Sequence, residues 1–92
     1  MFKIADLVIS EKGRDQKRIF MIVEIVDENY VLIADGSLRK LENPKRKKTK
    51  HLTGFSVAGE RISEKLKEGK KITNAELRKM LREIAAKENE IK

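Results

Sequence analysis

The sequence predicts a mainly β domain with helical structure at its C-terminal end. We expect a small antiparallel β-barrel over residues 1–54, and two helices in an extension, residues 55–92, that packs on it. Up to about residue 53, short runs rich in β-branched and aromatic side chains alternate with turn signals. Beyond that point, apolar residues recur at the spacing of an amphipathic helix. A chain of 92 residues can form one small domain with a modest core.

Five short strands are expected in the first half of the chain. Polar turns interrupt the runs around Gly13 and at residues 27–29, and Asp35–Gly36 is a hairpin signal. Several short strands joined by tight turns favour a barrel, because a two-stranded ribbon is too weak alone. The candidate strands are residues 6–10, 18–26, 30–34, 37–41 and 49–53.

The second candidate strand is apolar on both faces. Alternation along a strand sends successive side chains to opposite sides. One face should therefore line the barrel interior, and the other should need a cover. The first face would carry Ile19, Met21, Val23 and Ile25, and the second Phe20, Ile22 and Val26.

The C-terminal segment is the expected cover. Thr73 followed by Glu76 fits a capping box, and Ile72 with Leu77 fits a hydrophobic staple around the same cap. A second, shorter helix is predicted over residues 60–68, ending before a glycine. The apolar stripe of the terminal helix would consist of Leu77, Met80, Leu81 and Ile84.

Composition excludes several classes of function. The chain has no cysteine and a single histidine, so thiolate metal sites are excluded and we expect no metal or other cofactor. No glycine-rich phosphate loop or hydrolase triad is recognisable, and we expect no enzymatic activity. No apolar run approaches the roughly 20 residues that span a bilayer, and the N-terminus does not read as a signal peptide. A cytoplasmic location without membrane contact is the expectation.

Positive charge is concentrated in one stretch. The net charge is +7, and residues 39–50 (RKLENPKRKKTK) contain seven basic residues and one acidic residue, a net of +6. The other 80 residues carry 15 basic and 14 acidic groups, a net of +1. Concentrated charge favours an anionic partner, although charged residues also protect exposed strand edges from aggregation. Pro44, which lacks an N–H, should lie at a strand edge or turn.

A second basic group surrounds Gly13 in the turn EKGRDQKR, residues 11–18. Basic side chains and backbone N–H groups in such a turn can converge on a phosphate. An ordinary solvated hairpin loop with protective charges is the alternative. The cations of this turn are Lys12, Arg14, Lys17 and Arg18.

The run VISEKGRDQKRIFMIVEIVDENYVLIADG, residues 8–36, resembles the KOW motif. More closely, it is similar to the large-subunit ribosomal protein fourteen family of archaea and eukaryotes. The later KHL at residues 50–52 also matches, and ITNAELRKMLREI resembles that family's terminal helix. The resemblance covers residues 4–53 best and implies an SH3-like barrel that binds RNA in the translation apparatus. KOW sequences usually place a glycine two residues after the Asp of GRD, where this chain has Lys17.

Charge and resemblance together predict binding of structured RNA, with ribosomal RNA as the expected partner and ribosomal proteins as further candidates. The protein is expected to be a monomer when free, and to hold phosphates along one basic rim of the barrel. With few aromatic residues, and with Phe20 and Tyr30 expected in the core, phosphate and shape should dominate over base stacking. The alternative is a protein-interaction module that docks through the barrel or the C-terminal helix. The predicted RNA-binding residues are Lys12, Gly13, Arg14, Lys17, Arg18, Arg39, Lys40, Lys45, Arg46, Lys47, Lys48, Lys50 and His51.

Overall fold

The computed structural model of the chain describes residues 2–11, 18–57 and 72–91. The predicted helix over residues 60–68 and the turn around Gly13 lie outside these ranges. No helix in the described ranges combines the length and the apolar character needed to cross a membrane. The elements are β1 (Asp6–Ser10), β2 (Ile19–Ile25), β3 (Tyr30–Ala34), β4 (Lys45–Lys48), a 3-10 turn (Thr49–His51), β5 (Leu52–Val57) and α1 (Asn74–Ile91).

The five strands form one antiparallel sheet in the order β4-β3-β2-β1-β5. The two edge strands, β4 and β5, are joined only by the 3-10 turn Thr49–His51. Such a short link can connect opposite edges only if the sheet curls, so the strands form a half-barrel. The prediction of a mainly β fold with a C-terminal helix is confirmed, and the described residues contain one α-helix.

The fourth strand differs from the prediction. Residues 37–41 form no strand, and 49–51 form the 3-10 turn, so the strand lies inside the basic stretch at Lys45–Lys48. Asp35 and Gly36 start a long loop instead of a two-residue hairpin. The carboxylate of Asp35 accepts hydrogen bonds from the backbone N–H groups of Ser37 and Arg39, each at 2.9 Å, and Gly36 has a φ of +79°. Backbone pairing with β3 then makes a strand of lysine and arginine, which are not strong strand formers.

Both faces of the sheet are covered, as the apolar character of β2 predicts. The inner face carries one buried cluster that fills the half-barrel, and the outer face carries a second cluster packed against α1. Leu77 and Leu81 of the helix are buried in the outer cluster. The inner cluster consists of Val8, Phe20, Ile22, Val31, Ile33 and Leu52, and the outer one of Ala5, Leu7, Met21, Ala34, Ile72, Leu77 and Leu81.

A β-bulge in β2 turns the side chain of its last residue, Ile25, to the opposite face of the sheet from the one that strict alternation gives. Ile22 pairs with Ile33, but Glu24 pairs with Leu32, so Val23 is an extra residue in the ladder. Ile25 consequently lies beside Val31 on the inner face. The sequence prediction, which placed Ile25 on the same face as Met21, is wrong because strict alternation does not continue through a bulge.

The predicted start of α1 is confirmed. Glu76 N–H donates to Thr73 Oγ1 at 3.1 Å, and Thr73 N–H donates to Glu76 Oε1 at 3.4 Å, which is a capping box. The first turn of α1 also holds the β3–β4 loop. Asn74 accepts from Leu41 N–H at 2.8 Å and donates to Glu42 at 2.5 Å. The helix is therefore fixed both to the sheet face and to the loop that leads into β4.

Candidate nucleic-acid interface

The basic strand β4 has a fixed register against β3. Directly opposed residues of antiparallel strands share a face, and successive residues alternate. Because Val31 and Ile33 are buried in the inner cluster, Lys45 and Lys47 belong to the inner face, and Arg46 and Lys48 to the outer one. The pairs are Tyr30 with Lys48, Val31 with Lys47, Leu32 with Arg46 and Ile33 with Lys45.

The inner pair of lysines is not presented to solvent in the same way as the outer pair. Lys47 is only 8% exposed, and Lys45 is half-buried. Both residues take part in interactions within the structure. Lys47, although predicted as an RNA-binding residue, is therefore poorly placed to reach a phosphate.

The outer face carries a stacked cation and ring. The guanidinium of Arg46 lies 4.1 Å from the centroid of the Tyr30 ring, within the range of a cation–π interaction. Arg46 is exposed and Tyr30 is half-buried, so solvent reaches this pair. Tyr30 was predicted to be a core residue, but its neighbour Val31 faces inward and alternation turns Tyr30 outward. Phe20, predicted in the same way, is fully buried.

A small polar depression lies beside the stacked pair, where β4 leads into the 3-10 turn. It has a volume of about 240 Å³ and is lined by Asn29, Tyr30, Lys48, Thr49 and Lys50. Two hydrogen bonds fix its floor: Thr49 N–H to the carbonyl of Asn29 at 2.8 Å, and Thr49 Oγ1 to the carbonyl of Glu28 at 3.3 Å. We call Tyr30, Arg46, Lys48 and Lys50 the outer basic face.

The other predicted residues lie elsewhere. Arg39 is half-buried in the β3–β4 loop, where its carbonyl accepts from the N–H groups of Asp35 and Gly36. Lys40 is exposed in the same loop, and Pro44 comes directly before β4. His51 is half-buried at the end of the 3-10 turn, and its carbonyl accepts from Glu11 N–H at 2.8 Å. Lys12, Gly13, Arg14 and Lys17 lie outside the described residues.

Arg18 lies at the opposite end of β3 from the outer basic face. It forms an ion pair with Asp35 at 3.5 Å, and Asp35 directly follows β3, whereas Tyr30 is the first residue of β3. Five residue steps along the strand separate Tyr30 from Asp35, a distance of about 16 Å. The described cations therefore do not form the single row that a common rim would require.

An apolar cleft opens on the inner side of the half-barrel. It has a volume of about 710 Å³, with Phe2, Ile25, Val31 and Leu52 as its apolar walls. Asp27, Glu28, Thr49 and Lys50 complete its lining. Ile25 is 40% exposed, so this wall of the cleft is open to solvent.

The described side chains include groups that can hold anions. Within residues 2–11, 18–57 and 72–91, no group of three or more His, Asp or Glu side chains comes together to hold a metal ion. The outer basic face and the depression beside it offer cations, hydroxyls and the amide of Asn29 on a strand and a turn. Comparison of the sequence with models of known protein families and with curated proteins gives no match.

Tyr30 and Asn29 belong to this surface but were not predicted as site residues. Alternation along β3 was the signal that could have assigned Tyr30 to the outer face, since Val31 and Ile33 are the natural core residues. Asn29 gave no signal, because its place in the depression depends on the contact between the β2–β3 turn and Thr49.

Proposed function

We propose that this protein is a non-catalytic RNA-binding protein that contacts structured RNA through the outer basic face. The curled five-stranded sheet is read as an SH3-like barrel, in keeping with the KOW resemblance of residues 8–36. That resemblance makes ribosomal RNA the preferred partner and a ribosomal or ribosome-associated role in the cytoplasm the preferred setting.

The observation that carries the proposal is the stacking of Arg46 on Tyr30 in a strand of fixed register. A mobile lysine-rich loop would hold its charges in no particular arrangement. Here the backbone of β4 is paired to β3, so that Arg46 and Lys48 project from one side of a rigid strand. An arginine plane above an aromatic ring offers a flat cationic surface on which a base can stack, or from which a phosphate can be bound.

Protection of the sheet edge is the simpler explanation for these charges, since β4 is an edge strand. It accounts for Arg46 and Lys48 but not for Lys50, which lies in the 3-10 turn beyond the strand. Nor does it account for the depression that Lys48 and Lys50 line together. Cations grouped around a depression suit an anionic ligand better than a scattered row would.

The test is the salt dependence of RNA affinity, measured by fluorescence anisotropy with a labelled RNA hairpin of about 20 base pairs. Each neutralised phosphate contributes roughly −0.7 to −0.9 to the slope of log K against log salt. The wild-type protein should give a slope of about −3.5 to −4.5, as for about five phosphates. The triple variant Arg46→Gln, Lys48→Gln, Lys50→Gln should lower the magnitude of that slope by about 2 to 3.

Lys79→Gln is the matched control, because Lys79 is an exposed cation on α1 that lines neither the depression nor the cleft. It should leave the slope within error of the wild-type value. Circular dichroism would confirm that all variants are folded. A wild-type slope near zero, or equal losses in the triple variant and the control, would refute binding through the outer basic face.

A second candidate function is a protein-interaction module that uses the apolar cleft. The exposure of Ile25 beside the cleft favours it, because aliphatic side chains open to solvent can receive apolar side chains of a partner. Docking of a partner through the C-terminal helix is less suitable, because Leu77 and Leu81 of that helix are already buried against the sheet. If Ile25→Ser abolishes capture of a cellular protein while the double variant Arg46→Gln, Lys48→Gln, which leaves the cleft lining unchanged, retains it, the interaction module is the better description.

A further inference from the structure

A second group of cations lines a groove between the sheet and α1, away from the outer basic face. The groove has a volume of about 400 Å³, and its polar lining is Arg18, Asp35, Ser37, Arg78 and Arg82. Three elements supply these residues: the start of β2, the β3–β4 loop and one flank of α1. Residues far apart in the sequence therefore bring three guanidinium groups to one concave surface.

The single carboxylate in this lining is largely occupied by the protein itself. Asp35 is buried, and its Oδ1 accepts the backbone N–H groups of Ser37 and Arg39 at 2.9 Å each. Its Oδ2 lies 3.5 Å from Arg18, at the long end of an ion pair. The side chain of Arg18 remains 45% exposed, so a ligand in solution can reach it.

The helix supplies the other two guanidinium groups. Arg78 donates one N–H to the carbonyl of Gly36 at 2.7 Å, which holds its side chain over the loop. Arg82 follows one helical turn later and is exposed, and within the described part of the chain its guanidinium forms no hydrogen bond or ion pair. Like charges four residues apart on a helix repel one another, so an anion between them would relieve the repulsion.

We infer that this groove is a second binding site for RNA, which takes a backbone phosphate between Arg18, Arg78 and Arg82. The inference rests on the proposed function and extends its footprint to the helix. Three cations and one carboxylate leave a local charge of +2, which suits a phosphodiester group. Guanidinium groups bind phosphate oxygens with paired N–H donors, and the Ser37 hydroxyl can donate a further hydrogen bond.

The positions of the two sites limit the RNA that can occupy both. About 16 Å of β3 separates Tyr30 from Asp35, so the ligand must present phosphates at well-separated points. A folded or double-helical RNA does so with its rigid backbone, whereas a very short single strand cannot reach both sites at once. The two sites together therefore suit an RNA whose contacted phosphates lie at least about 16 Å apart.

The experiment uses the full chain and the same labelled hairpin of about 20 base pairs. Arg82→Gln removes an exposed charge without touching the loop, and the double variant Arg18→Gln, Arg82→Gln removes two. We expect the salt slope to fall in magnitude by about 0.7 to 0.9 for each arginine, and affinity at low salt to fall about tenfold in the double variant. Lys79 lies on the same helix but outside the groove, so Lys79→Gln should change neither the salt slope nor the affinity at low salt.

The outcomes separate the two proposals. One outcome is that the wild-type protein binds the hairpin, the outer-face triple variant binds it more weakly, and Arg82→Gln and the double variant bind it like the wild-type protein. The groove is then not an RNA-binding site, and the proposed function stands. If the wild-type protein does not bind the hairpin, both are overturned. A slope reduced in Arg82→Gln and unchanged in Lys79→Gln supports the groove, because both variants lose one exposed charge from the same helix.

Discussion

Replacement of Gly36 by alanine should destabilise the protein strongly, because at this glycine the backbone of the β3–β4 loop packs closely against the backbone of α1. Gly36 is buried and has a φ of +79°, in the left-handed region that side chains rarely adopt. A Cβ atom there would overlap the carbonyl oxygen of Asn74 and lie 3.2 Å from Cγ of Arg78. The backbone oxygen cannot turn aside as the end of a flexible side chain can, so the loop and the helix would have to separate.

Two contributions determine how far the free energy of unfolding falls in the Gly36→Ala variant. The left-handed conformation costs a non-glycine residue about 1–2 kcal/mol. Separation of the loop from α1 loses the hydrogen bond from Arg78 to the carbonyl of Gly36, worth about 0.5–1.5 kcal/mol net. With some loss of packing around Leu77, the free energy of unfolding should fall by about 2–4 kcal/mol, out of about 5–14 kcal/mol for a domain of this length.

Urea denaturation followed by circular dichroism measures this loss, and thermal unfolding should show a Tm lower by about 10–25 °C. Gly54→Ala is the control, because a Cβ at Gly54 would lie 3.9 Å from Cε1 of Phe2, an ordinary van der Waals contact. Gly54 lies in β5, and its substitution should change stability by less than about 1 kcal/mol. Equal stability of the two variants would refute the claim that the close contact of Gly36 with α1 requires a glycine.

Three further substitutions test the same framework by urea denaturation. Asp35→Ala removes the acceptor for two backbone N–H groups and should cost about 2–4 kcal/mol, whereas a loss below about 1 kcal/mol would show that water replaces the carboxylate. Thr73→Ala breaks the capping box and should cost about 1 kcal/mol, with a similar loss expected for Glu76→Ala if the two side chains act together. Leu77→Ala removes a fully buried side chain and should cost about 2–5 kcal/mol, and a loss under about 1 kcal/mol would contradict the packing of α1 on the sheet.

Local signals in the sequence were sufficient for the elements that depend on near neighbours. The limits of β1 and β3 match the apolar runs DLVIS and YVLIA, and the helix start follows from Thr73 and Glu76. The need for a cover on the outer face also followed from β2, whose apolar residues occupy both sides. In each case the structure depends on residues within a few positions of one another.

Features that depend on distant contacts could not be predicted in the same way. The strand at Lys45–Lys48 has little strand propensity and exists because β3 offers it an open edge. The bulge at Val23 follows from the register between β2 and β3, which the sequence of β2 alone does not contain. The groove near Asp35 requires Arg18 and Arg82 to meet across the fold, and a reading of the helix alone treats Arg82 as ordinary solvated surface.

The β3–β4 loop links the two cationic surfaces, yet the two can be perturbed separately. Gly36 and Asp35 hold the loop against α1 and Arg18, and the same loop leads directly into β4. Substitution at either position should therefore disturb stability and both surfaces together. Arg46 and Arg82 are exposed, and neither lies in the buried clusters. Loss of RNA binding in their glutamine variants, at unchanged stability, would therefore reflect lost contacts with the ligand and not a damaged fold.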